Sequence, residues 1–173
     1  SDKFSSDGGS TEDNRASGAG DYQPYDRKIV LNCSTTNANI EYTTDGGTTW
    51  NNYSDPFWIN STTTIRVRAT KSGMIDSAEA TKTYKRTILQ TNYATAYGDT
   101  INFHYQIDGG NWTSNPGKAG KYVGSTSDGD NIWEYVTWAA NDAIIWKANK
   151  NGNDWMSDPN RETTAGNIDF QTW

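Results

Sequence analysis

Apolar and polar residues alternate at a period of two through most of this chain and hardly anywhere at the period of a helix. Ile29-Leu31-Cys33, Ile40-Tyr42 and Ile65-Val67-Ala69 each interleave with polar partners, the spacing that sends successive side chains to opposite faces of a strand. Segments 100–106, 132–138, 143–148 and 168–171 read the same way. Asp45-Gly46-Gly47, Ser72-Gly73 and Asp108-Gly109-Gly110 supply turn signals between them, several at hairpin spacing. The one competing helical stretch, 76–83, offers Ser77, Ala78 and Ala80, which lack the large apolar stripe of a packed helix. In 143–148, Ile144, Ile145 and Trp146 load both faces with apolar bulk, so this strand is expected to be central or well covered.

These strands fall into two runs, and the fold expected is all-β, two tandem antiparallel β-sandwiches over 21–86 and 87–173. The length of 173 residues fits one domain or two small ones at roughly 100–200 residues each. Residues 87–98 carry no strong element, and 87–90 are expected to pass between the domains. Residues 1–20 are rich in Ser, Gly and Asp with one aromatic, Phe4, too little apolar surface to offset the cost of ordering. They read as a flexible tail or linker.

Composition sharpens this picture. Only 33% of residues are hydrophobic, yet 8 Trp and 10 Tyr stand against 4 Phe, a preference for rings that are half packed and half wet. A net charge of −6 argues against nucleic acid and anionic membrane as partners, since both call for a basic surface. No run approaches the ~20 apolar residues of a membrane helix, and no stretch reads as a signal peptide, so the chain reads as a mature fragment. Cys33 is the single cysteine and, alternating with Ile29 and Leu31, reads as a small buried hydrophobe. The excess of Asn, Thr, Ser, Asp, Gly and Trp is that of secreted bacterial proteins, extracellular or at the cell surface.

Candidate chemistry concentrates in FHYQIDGGNWTSNPG (103–117). With Phe103 and Tyr105 facing inward, His104 and Gln106 face outward, and Trp112 follows on a loop that Pro116-Gly117 closes. Asn111, Thr113, Ser114 and Asn115 give Trp112 no apolar neighbours, so its indole is expected at the surface. A flat ring beside hydrogen-bonding groups suits a sugar, whose pyranose ring presents C–H patches and a rim of hydroxyls. A second such indole, Trp155, sits in KANKNGNDWMSDPN (147–160), where Asn149, Asn151, Asn153 and Asp154 offer hydroxyl partners or, in the plainer reading, cap turns. Trp133, Trp138 and Trp146 lie in strands and read as core. Trp50, Phe57 and Trp58 form another aromatic cluster that is expected to pack the first sandwich, with Trp50 or Trp58 as an alternative sugar contact.

Two family resemblances follow. IEYTTDGGTTW (40–50) and TTTIRVRATKSGMIDSAEATKTY (62–84) resemble the chitobiase/hexosaminidase C-terminal-type domain, which implies an immunoglobulin-like spacer over 21–86. TTDGGTTW also satisfies the Asp-box pattern of sialidase-like propellers, but it occurs once, and a propeller needs it from blade to blade. The order strand-His-x7-Trp-Thr-x2-Pro-Gly, followed by an Asn/Gly-rich loop with Trp, resembles carbohydrate-binding module family 25, with family 26 as its neighbour. That resemblance implies recognition of starch, amylopectin or maltooligosaccharide through His104, Trp112 and Trp155, with Gln106, Asn149, Asn153 and Asp154 alongside. Lys118-Ala119 after Pro-Gly and the NDWMSDPN loop depart from the usual family pattern.

No enzyme is expected. Glycoside hydrolysis needs two carboxylates roughly 5–9.5 Å apart across the scissile bond, whereas Asp99, Asp108, Glu134 and Asp154 read as solvated residues of turns and strand faces. With one histidine in the chain, triads and zinc sites have little to build on. No cofactor is expected; the Asp-rich turns, Asp128-Gly129-Asp130 among them, are the places suited to structural Ca²⁺. The function implied is glucan binding by a monomer within a multimodular protein. The alternative is a structural or adhesion pair of sandwiches on a cell-surface scaffold without a glycan ligand.

Overall fold

The computed structural model describes residues 2–6, 26–139 and 143–173. Among these there is no helix, and the strands build two compact units, Ser1–Lys85 and Arg86–Trp173. The first unit comprises β1 (Asp2–Ser6), β2 (Arg27–Cys33), β3 (Asn39–Thr43), β4 (Asn51–Asn52), β5 (Phe57–Ile59), β6 (Thr63–Thr70) and the start of β7 (Ala80–Tyr93). They form antiparallel sheets in the orders β1-β2-β5 and β7-β6-β3-β4. Ile29 and Leu31 of β2, Ile59 of β5, and Ile65, Val67 and Ala69 of β6 are buried, the alternate positions that the period-two pattern marks as inward.

Two elements differ from the sequence reading. Within the tail expected over 1–20, Asp2–Ser6 pairs with β2, Asp2 opposite Cys33 and Ser6 opposite Ile29. Backbone groups on an open strand edge can hold a segment whose side chains are too polar to announce it; residues 7–20 lie outside those described. The featureless 87–98 stretch contains the second half of β7, which runs on to Tyr93. Its inward positions are Thr87, Leu89 and Thr91, all fully buried, so two of the three are threonines and the alternation is hidden from an apolar count.

The second unit adds β8 (Ile101–Ile107), β9 (Lys118–Ala119), β10 (Lys121–Ser125), β11 (Asn131–Ala139), β12 (Ala143–Lys150), β13 (Asp154–Trp155), β14 (Arg161–Thr164) and β15 (Ile168–Thr172). One sheet runs β13-β12-β8-β9, with β14 also on β12; the other places β10, β11 and β7 side by side. β15 pairs with β7 in parallel, Ile168 opposite Ile88, whereas the other strand registers described are antiparallel. Strands so far apart in sequence have the long connection that a parallel pair requires.

Between the sheets lie Phe103 and Tyr105 from β8, Trp146 from β12 and Tyr135 from β11. Their ring centroids are 5.6 Å apart for Phe103–Trp146 and 5.7 Å for Tyr105–Tyr135, within the range of favourable aromatic contact. The buried indole N–H of Trp146 donates to Asp169 Oδ2 at 2.7 Å, which satisfies the group that burial would otherwise penalise. Trp138 is buried with it. Trp133, expected in the core, is only half-buried, its N–H donating to Thr95 Oγ1 at 3.3 Å.

Candidate functional site

The register of β8, β12 and β13 determines which side chains share the outer face of this sheet. Trp146 opposes Tyr105, and Ala148 opposes Phe103, on the buried face. Lys147 therefore opposes His104, and Asn149 opposes Asn102, on the outer one; β13 extends that second row by setting Trp155 opposite Asn149. Trp155, on a loop in the sequence reading, is thus held in a short strand.

Trp112 reaches the same place from the loop after β8. Thr113 N–H donates to the Tyr105 carbonyl at 2.9 Å, and Thr113 Oγ1 accepts from Tyr105 N–H at 3.2 Å. At the far end of the loop, Gly117 has φ +110 and crosses β8 so closely that a Cβ would lie 2.4 Å from the Phe103 carbonyl oxygen. Only glycine fits both requirements. The amide of Asn149 then donates to the Pro116 carbonyl at 2.7 Å. The loop is fastened at Thr113 and again at Pro116-Gly117, and Trp112 projects immediately ahead of the first fastening.

The result is a cluster of three rings. His104 stacks on Trp112 with centroids 4.9 Å apart and planes at 21°. Trp155 approaches the same imidazole edge-on, at 5.7 Å and 75°. Trp112 remains 36% exposed and Trp155 half-buried, so neither indole belongs to the core. His104 Nδ1 lies 2.9 Å from Thr113 Oγ1, and partial burial lowers its pKa from the ordinary histidine value, favouring the neutral ring. Lys147, beside His104 in the register, has its ammonium paired with Asp158 at 2.5 Å.

The remaining residues of the candidate set divide. Gln106 shares the outer face, with its amide nitrogen bonded to the Gly110 carbonyl at 2.5 Å. Asn153 is exposed beside Trp155. Asn149 must be withdrawn as a ligand contact. It is fully buried, donates to Pro116, and accepts from Asn102 at 3.1 Å and from Gly152 N–H at 2.8 Å, so its amide joins the two loops that carry the indoles.

Asp154 must also be withdrawn, because it precedes Trp155 in a strand and points to the opposite face. There it accepts from Tyr93 OH at 2.7 Å, an interaction that raises the tyrosine pKa. Glu134, read as solvated, is buried and accepts from Gln90 at 2.8 Å. Asp130 accepts from Asn92 at 3.1 Å, and among the described residues no group of three or more His, Cys, Asp or Glu is gathered around one point.

Residues 17–83 match the family model of the chitobiase/beta-hexosaminidase C-terminal domain. No curated protein matches the chain. Among solved structures, the Glycoside Hydrolase Family 15 glucoamylase from Hypocrea jecorina is similar over 52% of this chain and 17% of its own, at 20% identity and a TM-score of 0.43.

Sequence reasoning assigned no role to Thr113, although the Trp-Thr-x2-Pro-Gly motif contains it. What the pattern could not reveal is that a residue adjacent to Trp112 also contacts the histidine nine positions earlier. Lys147 was hidden for a similar reason: its place beside His104 is a cross-strand relation, invisible in linear order.

Proposed function

We propose that the second unit is a non-catalytic carbohydrate-binding module that holds starch-type α-1,4-glucan, with the first unit as a spacer. Such a pair fits an extracellular or cell-surface protein that captures starch. The observation that carries this reading is the angle of the rings. Trp112 lies nearly parallel to His104 while Trp155 stands steeply to it, so the two indoles make a bent platform rather than a flat one. A bent platform suits a glucan that curves from residue to residue, whereas a flat chain of cellulose type would meet only one ring squarely. Resemblance to starch-binding modules at His104, Trp112 and Trp155 supports the same choice.

Each indole that covers roughly 100 Å² of sugar C–H surface contributes about 2.5 kcal/mol at ~25 cal/mol per Å². A hydrogen bond from the imidazole adds about 1 kcal/mol net. The total of about 6 kcal/mol corresponds to a dissociation constant of tens of micromolar before ordering costs. Binding of this strength becomes useful when several modules or many glucan chains act together. The absence of catalysis is part of the proposal: Asp154 faces away from the rings and Glu134 is buried in the other sheet, so neither is placed to flank a scissile bond.

Affinity electrophoresis in native gels tests the reading. The protein is expected to be retarded by amylopectin and to migrate freely in gels containing cellulose derivatives or dextran. Equal mobility in all of them would remove the glucan function. Release of reducing sugar from amylopectin would remove its non-catalytic part.

A further inference from the structure

We propose that Thr113 is a positioning residue that fixes His104 as its Nε2–H tautomer, so that the imidazole meets a glucan hydroxyl as a hydrogen-bond donor. The inference rests on the reading of these rings as a glucan platform and assigns one proton within it. Among the described residues, Thr113 Oγ1 has two hydrogen-bonding partners, the Tyr105 backbone nitrogen at 3.2 Å and His104 Nδ1 at 2.9 Å. The backbone N–H can only donate, so it takes a lone pair of the hydroxyl oxygen. Among the described residues, the acceptor left for the hydroxyl proton is Nδ1.

A nitrogen that accepts carries no proton in the neutral ring, which leaves the proton on Nε2. Partial burial favours that neutral form, since desolvation disfavours the imidazolium. No protein hydrogen bond to Nε2 is made among the described residues, so this N–H is available to a ligand. The stack on Trp112 and the edge of Trp155 hold the ring plane. Because Thr113 directly follows Trp112 and its own backbone N–H is bonded to Tyr105, one dipeptide sets both the stacking surface and the direction of the hydrogen bond beside it.

The chain contains a single histidine, so a long-range proton–nitrogen NMR spectrum of the free protein at neutral pH reads this tautomer without assignment ambiguity. The wild type and Thr113→Ser are expected to show the Nε2–H pattern, and Thr113→Val a mixture with Nδ1–H. Retardation by amylopectin is expected to weaken about 5-fold in Thr113→Val, the effect of one neutral hydrogen bond, and to return in Thr113→Ser. An Nδ1–H pattern in the wild type would overturn the proposal, as would a Thr113→Val spectrum identical to it. A wild type that shows Nε2–H and yet no retardation supports the tautomer and sinks the glucan reading, so the two failures are separable.

Discussion

The chain writes nearly the same turn twice and uses it for opposite ends. In the first unit Asp45-Gly46-Gly47 leads to Trp50; in the second Asp108-Gly109-Gly110 leads to Trp112. Around Asp45 the carboxylate accepts from Thr43 Oγ1 at 2.7 Å and from Thr49 N–H at 2.9 Å. These bonds, that of Thr49 foremost, hold its pKa down at about 2. Trp50 is then covered by the Arg68 guanidinium, 4.0 Å from its ring centroid, with Arg66 at 5.8 Å. Arg66 also donates to the Gly46 carbonyl at 2.8 Å and pairs with Glu79.

The turn at Asp108 makes no such cage. Asp108 takes a positive φ of 50, and Trp112 meets a neutral imidazole and solvent. What separates the two turns is the strand beside the indole. β6 sets arginines against Trp50, a cation–π arrangement that occupies a ring face, while β8 sets a histidine against Trp112 and leaves room for another molecule. A Trp after an Asp-Gly-Gly turn is therefore a hairpin brace in one unit and a candidate platform in the other.

Truncating each indole in turn separates the two roles. Trp112→Ala is expected to weaken retardation by amylopectin on the order of 50-fold, from the loss of about 2.5 kcal/mol of sugar-face coverage, with the thermal unfolding midpoint little changed. Trp50→Ala is expected to do the reverse, lowering the unfolding midpoint and leaving retardation intact. If Trp50→Ala abolished retardation and Trp112→Ala did not, the roles would be exchanged.

A smaller effect separates buried from exposed polar bracing. Asn149→Ala leaves the Pro116 carbonyl, the Asn102 amide and the Gly152 N–H without their partner, at about 3 kcal/mol of stability in denaturant titration. Asp45→Asn is expected to lose less, because the Asp45 turn is open to water. Asn149→Ala unfolding at the wild-type midpoint would refute its role as a tie between the loops.

The smallest effects are in pH. His104 has a folded pKa below 6.5, so between the two values the unfolded chain binds more protons and stability rises with pH. Its contribution is full above 6.5 and is lost as pH falls through the folded value, while Asp158, whose carboxyl the Lys147 ammonium holds below its ordinary range, stays charged. Asp45 behaves alike at lower pH: its contribution is full above 3.8 and is lost as pH falls towards about 2. Histidine-free His104→Gln is expected to lose the upper step and keep the lower one in pH-dependent unfolding.

Much of the fold was legible because strands announce themselves at a period of two, and Ile65-Val67-Ala69 and Phe103-Tyr105 do so with apolar side chains. Strands that alternate with threonine, as β7 does, or that are held by backbone bonds, as β1 is, leave no such mark. The exposure expected for Trp112 follows from its polar neighbours alone. The fates of Asn149 and Asp154 do not, since both stand in one polar run beside an indole: Asn149 lies near the end of β12 and is buried, whereas the short strand β13 turns Asp154 to the face opposite Trp155.

Alternation and turn chemistry are local and are written residue by residue, and they suffice for an all-β chain and for an exposed Trp112 on a turn-bounded loop. It takes the folded chain to bring Trp112 and Trp155 onto one histidine, to incline their planes steeply, and to lay an arginine over Trp50. Those facts depend on the register between strands distant in the chain. A shift of one residue would carry His104 to the other face, and linear order does not state that register.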